Sequence, residues 1–135
     1  MLKGSCLCGL ITYSADTNPL FTAVCNCLSC QKSTGSSFSL IVGIKKDKFN
    51  LTGDTLKTYE DIGDSGKHTY RHFCSNCGST LFAEMELFPD LTCIKAGTLE
   101  DSSSLKPQFH VYWKDHHKWI ESIDQILKYE KTKEK

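Results

Sequence analysis

Seven of the eight cysteines in this 135-residue chain fall into three tight groups, and their spacing limits the fold more than any other feature. The groups are C-x-C at Cys6 and Cys8, C-x-C-x-x-C at Cys25, Cys27 and Cys30, and C-x-x-C at Cys74 and Cys77. A C-x-x-C knuckle turns the backbone so that both thiolates face one ion, and a following glycine permits the positive φ of such a turn. Glycine follows the first and third groups, at Gly9 and Gly78. The pattern predicts metal centres, with zinc as the metal.

The three groups divide most simply into two zinc sites. A structural zinc takes four tetrahedral ligands, with each sulfur about 2.3 Å from the metal. The two outer groups supply one closed site, formed by Cys6, Cys8, Cys74 and Cys77. The middle group supplies three ligands, Cys25, Cys27 and Cys30, and leaves the fourth position exchangeable, which is typical of a reactive zinc. We therefore expect two zinc ions per chain.

Other interpretations of these residues stay open. Disulfides are disfavoured in a reducing compartment, and no βαβ pattern surrounds the C-x-x-C pair as in a thioredoxin-like protein. A purely structural middle site, completed by a histidine, is the stronger alternative. His72 lies two residues before Cys74 and is a candidate for that role, although a surface histidine with ordinary partners is the other interpretation. Cys93, inside an apolar run, is predicted to be a buried strand thiol.

Short apolar runs separated by turn signals predict an all-β or β-dominated domain over residues 1–135. The predicted strands are 9–15, 20–24, 38–44, 49–52, 55–59, 67–73, 80–88, 91–96 and 108–113. Gly53-Asp54 is predicted to close a hairpin between the fourth and fifth of them, and Pro89-Asp90 to form a tight turn. Helix signals are limited to one turn at residues 30–35 and a short C-terminal helix at 122–128.

Charge and length exclude several classes of protein. Sixteen basic residues balance sixteen acidic ones, which argues against a nucleic-acid binder that works by bulk charge. Seven thiolates and two zinc ions would bring the formally neutral chain to about −3. The first residues do not form a signal peptide, and no apolar run reaches the length of a membrane span. We therefore expect a cytoplasmic or nuclear protein without nucleic-acid or membrane partners; the sequence does not predict its oligomeric state.

Four ordered motifs carry a resemblance that covers nearly the whole chain. They are residues 4–9 (GSCLCG), 25–36 (CNCLSCQKSTGS), 73–79 (FCSNCGS) and 96–101 (AGTLED), the last followed by Pro107. The chain resembles the glutathione-dependent formaldehyde-activating enzyme family, which also includes centromere protein V. That resemblance implies a β-tent of twisted antiparallel sheets. It also implies a structural zinc on Cys6, Cys8, Cys74 and Cys77 and a reactive zinc on Cys25, Cys27 and Cys30. The activity it implies is carbon–sulfur lyase chemistry, which interconverts S-hydroxymethylglutathione with glutathione and formaldehyde.

One departure from the family and two functional hypotheses follow. The family commonly has histidine where this chain has Asn26, although every thiolate ligand is present. The first hypothesis is a zinc lyase that acts on a small-molecule thiol such as glutathione, with Lys32 and Arg71 as candidates to attract an anionic substrate. The second is a non-catalytic interaction module, or a carrier of glutathione or formaldehyde. Water or a small thiol as the fourth zinc ligand favours the first, and four protein ligands favour the second.

Overall fold

The computed structural model describes residues 1–133, and the fold within this range is dominated by strands. The strands are β1 Leu2–Ser5, β2 Thr12–Ala15, β3 Phe21–Cys25, β4 Ser39–Lys45, β5 Phe49–Thr52, β6 Leu56–Ile62, β7 His68–Cys74, β8 Thr80–Met85, β9 Phe88–Lys95 and β10 Phe109–Val111. One α-helix, α1 Leu28–Thr34, follows β3, and 3₁₀ helices span Lys46–Lys48, Ala96–Thr98, Trp113–Asp115 and Lys118–Gln125. Residues 134 and 135 of the predicted domain lie outside the described residues. The β-dominated fold class is confirmed.

The strands form two sheets. One has three strands in the order β1-β2-β5, and the other has seven in the order β10-β3-β4-β9-β8-β7-β6. All pairings are antiparallel except that of β10 with β3, which is parallel. The larger sheet is therefore mixed rather than purely antiparallel. The parallel pairing is possible because a long connection follows β9. It carries the chain to the edge of the sheet beside β3 before β10 begins.

The predicted hairpin across Gly53-Asp54 is wrong. Strand β5 pairs with β2 in the small sheet, whereas β6 pairs with β7 in the large one. Gly53 has φ 128°, and a Cβ there would lie 2.3 Å from the carbonyl oxygen of Leu10. This glycine therefore lets the chain pass close over the backbone at Leu10 as it changes sheets.

The turn predicted at Pro89-Asp90 is also displaced, because both residues belong to β9. Residues 86 and 87 form the turn, and Met85 pairs with Phe88 across it. The β8–β9 pairing is irregular between Ala83 and Met85, and a proline is tolerated beside such an irregularity because the regular ladder is already interrupted.

Alternation along the large sheet separates a core face from a second face. Phe82, Ile94 and Val42 point to the core, where they pack with Tyr13 and Phe49 of the small sheet. On the opposite face, the strand registers align Cys25 with Ser39, Ile41 with Lys95, Cys93 with Ala83, and Ala83 with Arg71. Because paired residues share a face, this register brings groups from β3, β4, β9, β8 and β7 to one surface.

The helices differ modestly from prediction. Helix α1 begins two residues before the predicted turn and ends at Thr34, and the next residue, Gly35, caps it in the left-handed conformation with φ 69°. The short C-terminal helix is confirmed as an element, but it is a 3₁₀ helix over Lys118–Gln125 rather than 122–128. None of the helices described in residues 1–133 has the length and apolar character needed to cross a membrane.

Candidate metal centres and their cavity

The two outer cysteine groups meet in space although they are far apart in sequence. The sulfur atoms of Cys6, Cys8, Cys74 and Cys77 lie within 4.8 Å of one another. Cys8 Sγ lies 3.5 Å from Cys6 Sγ and 3.8 Å from Cys74 Sγ. Tetrahedral zinc with sulfur at about 2.3 Å requires sulfur atoms about 3.8 Å apart. The four thiols therefore have the arrangement and the chemistry of a closed metal centre, consistent with zinc.

Each half of this four-cysteine centre is a glycine-terminated knuckle. Gly9 and Gly78 have φ values of 81° and 78°. The Gly9 N–H donates to Cys6 O over 3.2 Å, and the Gly78 N–H donates to Cys74 O over 2.8 Å. The two positive-φ turns aim both pairs of sulfur atoms at one point. As a result, the end of β1 is joined to the loop between β7 and β8.

Local hydrogen-bond donors favour thiolates in this centre. The Ile11 N–H donates to Cys6 Sγ over 3.3 Å, and the Thr55 hydroxyl lies 3.3 Å from Cys74 Sγ. The Ser79 hydroxyl, 3.2 Å from Cys77 Sγ, lowers the pKa of Cys77 to about 5. Since only a thiolate ligates the metal, these donors assist binding.

The middle group forms a second cluster at the junction of β3 and α1. Cys25 ends β3, and Cys27 is the N-cap of α1, where its Sγ accepts the N–H of Cys30 over 3.3 Å. The three sulfur atoms lie within 4.8 Å of one another. Within residues 1–133, no further cysteine, histidine or carboxylate joins this group. This three-cysteine cluster can hold a metal while leaving a coordination position for another ligand.

Nearby charges act on the three-cysteine cluster. Hydrogen bonds from the Cys25 and Cys27 thiols hold the pKa of Cys30 well below its usual range, and the positive charges of Lys95 and Arg71 act in the same direction. Cys93 behaves differently, because burial raises its pKa to about 11. With 2% of its surface exposed in β9, Cys93 is the buried strand thiol that was predicted.

The three-cysteine cluster opens on a cavity of about 320 Å³, here called the thiolate cavity. Its floor is the second face of the large sheet, and its walls include α1 and the segment around Tyr112. A neighbouring cavity of about 460 Å³ shares Ser29, Asp61 and Arg71 with it and adds Lys32 and His72. Both volumes fall in the range of small-molecule sites.

Two of the cations that line the thiolate cavity, Arg71 and Lys95, are largely buried. Arg71 Nε lies 3.2 Å from Asp61 Oδ2, and its guanidinium donates to Ser33 Oγ over 3.3 Å. Lys95 is only 8% exposed, and its Nζ donates to Ser39 Oγ over 2.7 Å. Burial lowers the pKa of Lys95, whereas the Cys30 thiolate acts in the opposite direction. Sequence reasoning missed Lys95, although a lysine two residues after Cys93 in an apolar strand was a usable signal.

Tyr112 is a second residue that sequence reasoning missed. It is the non-glycine residue with positive φ, at 54°, in the described part of the chain. Its hydroxyl donates to Asp64 Oδ1 over 2.8 Å, and both residues line the thiolate cavity. This hydrogen bond joins the segment after β10 to the loop between β6 and β7 in the lining of the cavity. Left-handed backbone at a non-glycine residue has no signal in a single sequence.

His72, the candidate fourth ligand, and Asn26, at the position where the family commonly has histidine, both form hydrogen bonds with protein groups. Asn26 is 1% exposed, and its Nδ2 lies 3.1 Å from both Val111 O and His110 Nδ1. His72 lies 2.9 Å from Glu84 Oε1 and 2.8 Å from Thr58 Oγ1, and it stacks on a phenylalanine ring. With its side chain 12% exposed, His72 has satisfied partners as predicted, but it is not a surface residue. It belongs to neither cysteine group.

The fold and these clusters define a β-dominated protein with two thiolate centres that can hold metal ions, one of them open to a cavity. Residues 1–115 match the sequence model of the family described as "Glutathione-dependent formaldehyde-activating enzyme". The chain therefore belongs to this family.

Curated relatives carry the same family name, in a form that marks their assignment as provisional. A protein of Fusarium vanettenii is 27% identical over 114 residues, which are 82% of this chain and 60% of that protein. A protein of Aspergillus oryzae is 27% identical over 77% of this chain and 56% of its own length. A protein of Halomonas elongata is 26% identical over 90% of this chain and 80% of its own. The chain thus spans little more than half the length of the fungal relatives.

A solved structure has the same fold. The crystal structure of a Rhodobacter sphaeroides protein superposes with a TM-score of 0.62 at 16% sequence identity. The match covers 80% of this chain and 98% of that one. At this level of identity the likeness concerns the fold alone.

Proposed function

We propose that this chain is a zinc-dependent carbon–sulfur lyase that acts on adducts of glutathione or a similar thiol, such as S-hydroxymethylglutathione. The observation that carries the proposal is the three-cysteine cluster, which opens on a cavity and has no fourth protein ligand among residues 1–133. Membership of the family supports the choice of thiol and aldehyde. The cytoplasmic or nuclear location stays a prediction.

In this proposal the two clusters hold different zinc ions. Cys6, Cys8, Cys74 and Cys77 hold a structural zinc, because four thiolates complete its coordination. Cys25, Cys27 and Cys30 hold the reactive zinc. Soft thiolate donors suit zinc in both cases. Bound there, the reactive zinc would act as a Lewis acid that keeps an incoming thiol deprotonated near neutral pH.

The protein's own residues bind and orient the substrate. The thiolate cavity receives the reacting sulfur and the one-carbon group, and the adjoining cavity with Lys32 and Arg71 receives the rest of the thiol. Glutathione carries two carboxylates, which explains a use for basic side chains at that end. The hydrogen bond between Tyr112 and Asp64 holds together two segments that line the thiolate cavity.

The reaction itself is a reversible addition. In the synthetic direction the sulfur forms a bond to the aldehyde carbon, and the carbonyl π electrons move to oxygen, which then takes a proton from water. In the lyase direction the hydroxyl loses that proton, the carbon–oxygen double bond re-forms and the carbon–sulfur bond breaks. Holding both reactants in one cavity accelerates each direction equally.

Exchange spectroscopy at equilibrium tests this proposal. Nuclear magnetic resonance would measure the exchange rate between formaldehyde hydrate and S-hydroxymethylglutathione with zinc-loaded protein and in a protein-free blank. We expect the wild type to raise the rate above the blank, and Cys27→Ser to return it to the blank. Serine is a good N-cap, so this substitution removes a zinc ligand while keeping the cap of α1.

Cys93→Ser is the matched control for loss of a cysteine. Cys93 belongs to neither cluster, so this variant is expected to retain two zinc ions, whereas Cys27→Ser retains one. Exchange equal to the blank in wild-type protein with two zinc ions bound would overturn the formaldehyde–glutathione assignment.

A carrier or an interaction module is the second candidate function. The side chain of Asn26, at the position where the family commonly has histidine, contacts His110 and Val111 and does not line the cavity. A site without a general base there would suit binding without turnover. Tight binding of glutathione with no increase in exchange would favour the carrier.

A further inference from the structure

The thiolate cavity contains a buried ammonium group, that of Lys95, which has no role in binding a metal. Lys95 is 8% exposed, yet no carboxylate pairs with it in the described part of the chain. Its one hydrogen-bond partner there is Ser39 Oγ, at 2.7 Å. An ammonium carries three donors, so two N–H groups are without a protein acceptor in a buried setting. Burying a cation in this way is costly unless something compensates it.

The three-cysteine cluster provides the compensation for this charge. Lys95 lines the same cavity as Cys25 and Cys30, and the Cys30 thiolate raises the pKa of Lys95 against the effects of burial and of the Arg71 charge. The strand register explains the proximity, because Cys25 pairs with Ser39 and Lys95 pairs with Ile41, two residues along β4. Lys95 thus lies on the same cavity as the three-cysteine cluster without being paired with a carboxylate.

The other charged groups of the cavity are paired, which sets Lys95 apart. Arg71 contacts Asp61 at 3.2 Å, and Lys114 contacts Asp115 at 3.0 Å. Asp64 accepts the Tyr112 hydroxyl. Lys95 is therefore the cavity cation, among the described residues, that has no carboxylate partner and keeps two donors free for a ligand.

We propose that Lys95 is a catalytic residue, whose ammonium donates a hydrogen bond to the aldehyde oxygen beside the three-cysteine cluster and stabilises the negative charge that develops there. This inference rests on the proposed function, and it adds the position of the second substrate. In this arrangement the aldehyde carbon lies between the sulfur of the bound thiol and the ammonium group of Lys95. As the sulfur–carbon bond forms, the carbonyl π electrons move onto the oxygen facing Lys95, and that oxygen then takes a proton from water.

A fixed donor aimed at a developing oxyanion contributes strongly to catalysis. Removing one such donor typically lowers a rate by about 10²- to 10³-fold, because the site is preorganised and partly shielded from water. The donor is expected to matter less for binding of the thiol, whose sulfur occupies a different part of the cavity. Lys95 therefore affects turnover more than thiol affinity.

The test compares Lys95→Met, Lys95→Arg and Lys57→Met, all loaded with zinc. Methionine keeps the approximate volume without the charge, arginine keeps the charge, and Lys57 is an exposed lysine on β6 away from the cavity. We expect Lys95→Met to lower the saturated exchange rate by about 100-fold. The dissociation constant for glutathione should change by less than about threefold, because in this proposal the glutathione sulfur does not contact Lys95. Lys95→Arg should recover part of the rate, and Lys57→Met should match the wild type.

Formate supplies a readout that does not depend on turnover. It has the size of formaldehyde and carries a negative oxygen, so it should bind the wild type at the Lys95 position and compete with formaldehyde but not with glutathione. Binding would be followed by broadening of the ¹³C-formate signal. It should be lost in Lys95→Met and retained in Lys57→Met, with zinc content measured for each variant.

The outcomes separate this inference from the proposed function. If the wild type raises exchange but Lys95→Met keeps both the rate and formate binding, the inference is overturned while the lyase assignment stands. If the wild type does not raise exchange, the lyase assignment fails, and the role of Lys95 in catalysis fails with it. Loss of formate binding in Lys95→Met would then still assign an oxyanion site to Lys95.

Discussion

Asn26, between two cysteines of the three-cysteine cluster, contributes to the stability of the fold through its side-chain hydrogen bonds. Its side chain joins β3 to β10 through Val111 O and His110 Nδ1, and the Asn26 N–H also donates to Val111 O over 3.1 Å. We expect Asn26→Ala to lower the free energy of unfolding by about 1–3 kcal/mol, because buried partners lose their hydrogen bonds. Urea denaturation of the zinc-loaded wild type and variant measures this change in the free energy of unfolding.

The exposed Asn18 provides the matched control for this measurement. Asn18→Ala should change the free energy of unfolding by no more than about 0.5 kcal/mol. If the two alanine variants were equally stable, the contacts of Asn26 with β10 would be of no consequence for the fold.

Tyr13 gives the stability a dependence on alkaline pH. Burial raises its pKa to about 12, and its hydroxyl lies 2.6 Å from Thr98 Oγ1. Because the folded-state pKa exceeds the unfolded value of 10, the unfolded chain loses this proton first. The contribution of this pKa shift to the free energy of unfolding is therefore fully present below pH 10 and is lost as pH rises through 12. The loss has a limit of about 2.7 kcal/mol.

Tyr13→Phe isolates that contribution. At pH 8 the variant should be less stable than the wild type by about 1 kcal/mol, since one hydrogen bond is missing. Between pH 10 and 11.5 the difference should shrink and reverse, because the variant has no phenol to ionise. Denaturant unfolding of both proteins at pH 8 and at pH 11.5 measures this difference in the free energy of unfolding. A difference that does not change with pH would contradict a raised pKa for Tyr13.

At the level of elements, β4 depends on a glycine at its centre. Gly43 pairs with Phe21 of β3, and a Cβ on Gly43 would lie 2.3 Å from the Phe21 ring. We expect Gly43→Ala to lower the free energy of unfolding by about 1–3 kcal/mol through overpacking. The double variant with Phe21→Leu should recover much of the loss, as a double-mutant cycle would measure.

Gly97 is the control for this change, because a Cβ there meets nothing within 4 Å. Gly97→Ala should be neutral or slightly stabilising, since it reduces the entropy of the unfolded chain. Equal losses at Gly43 and Gly97 would show that close packing against Phe21 is not the cause.

The same elements show what a single sequence can predict. The cysteine groups and nine of the ten strands were predicted, because short apolar runs and C-x-x-C-G knuckles are local patterns; β1 was missed, because Leu2–Ser5 contains no apolar run. The partner of β5 was not, since a strand beside Gly53 can turn back or change sheets with the same residues. Lys95 and Asn26 acquire their meaning from neighbours on β4 and β10, contacts that local patterns do not encode.

For the whole molecule, the two clusters differ in what they connect. Cys8 and Cys74 are 66 residues apart, and their cluster joins the small sheet to the large one. The three-cysteine cluster lies within residues 25–30 and connects β3 only to the helix that follows it. A cross-link that closes a loop of this longer size stabilises a fold by about 4 kcal/mol in the chain-entropy view, whereas closing the short loop within residues 25–30 contributes about half as much.

This difference predicts unequal losses of stability for two substitutions of the same kind. Cys77→Ser should lower the free energy of unfolding by up to about 4 kcal/mol and increase hydrogen exchange in β1 and β2, because the small sheet loses its metal tether. Cys27→Ser should lower the free energy of unfolding by no more than about 2 kcal/mol, because its loop is short, and in the proposed assignment it should also lose one zinc ion and the exchange activity. Calorimetry with zinc analysis separates them. Equal destabilisation by both variants would mean that the three-cysteine cluster supports the fold as much as the four-cysteine centre does, and its assignment as the reactive site would lose its physical basis.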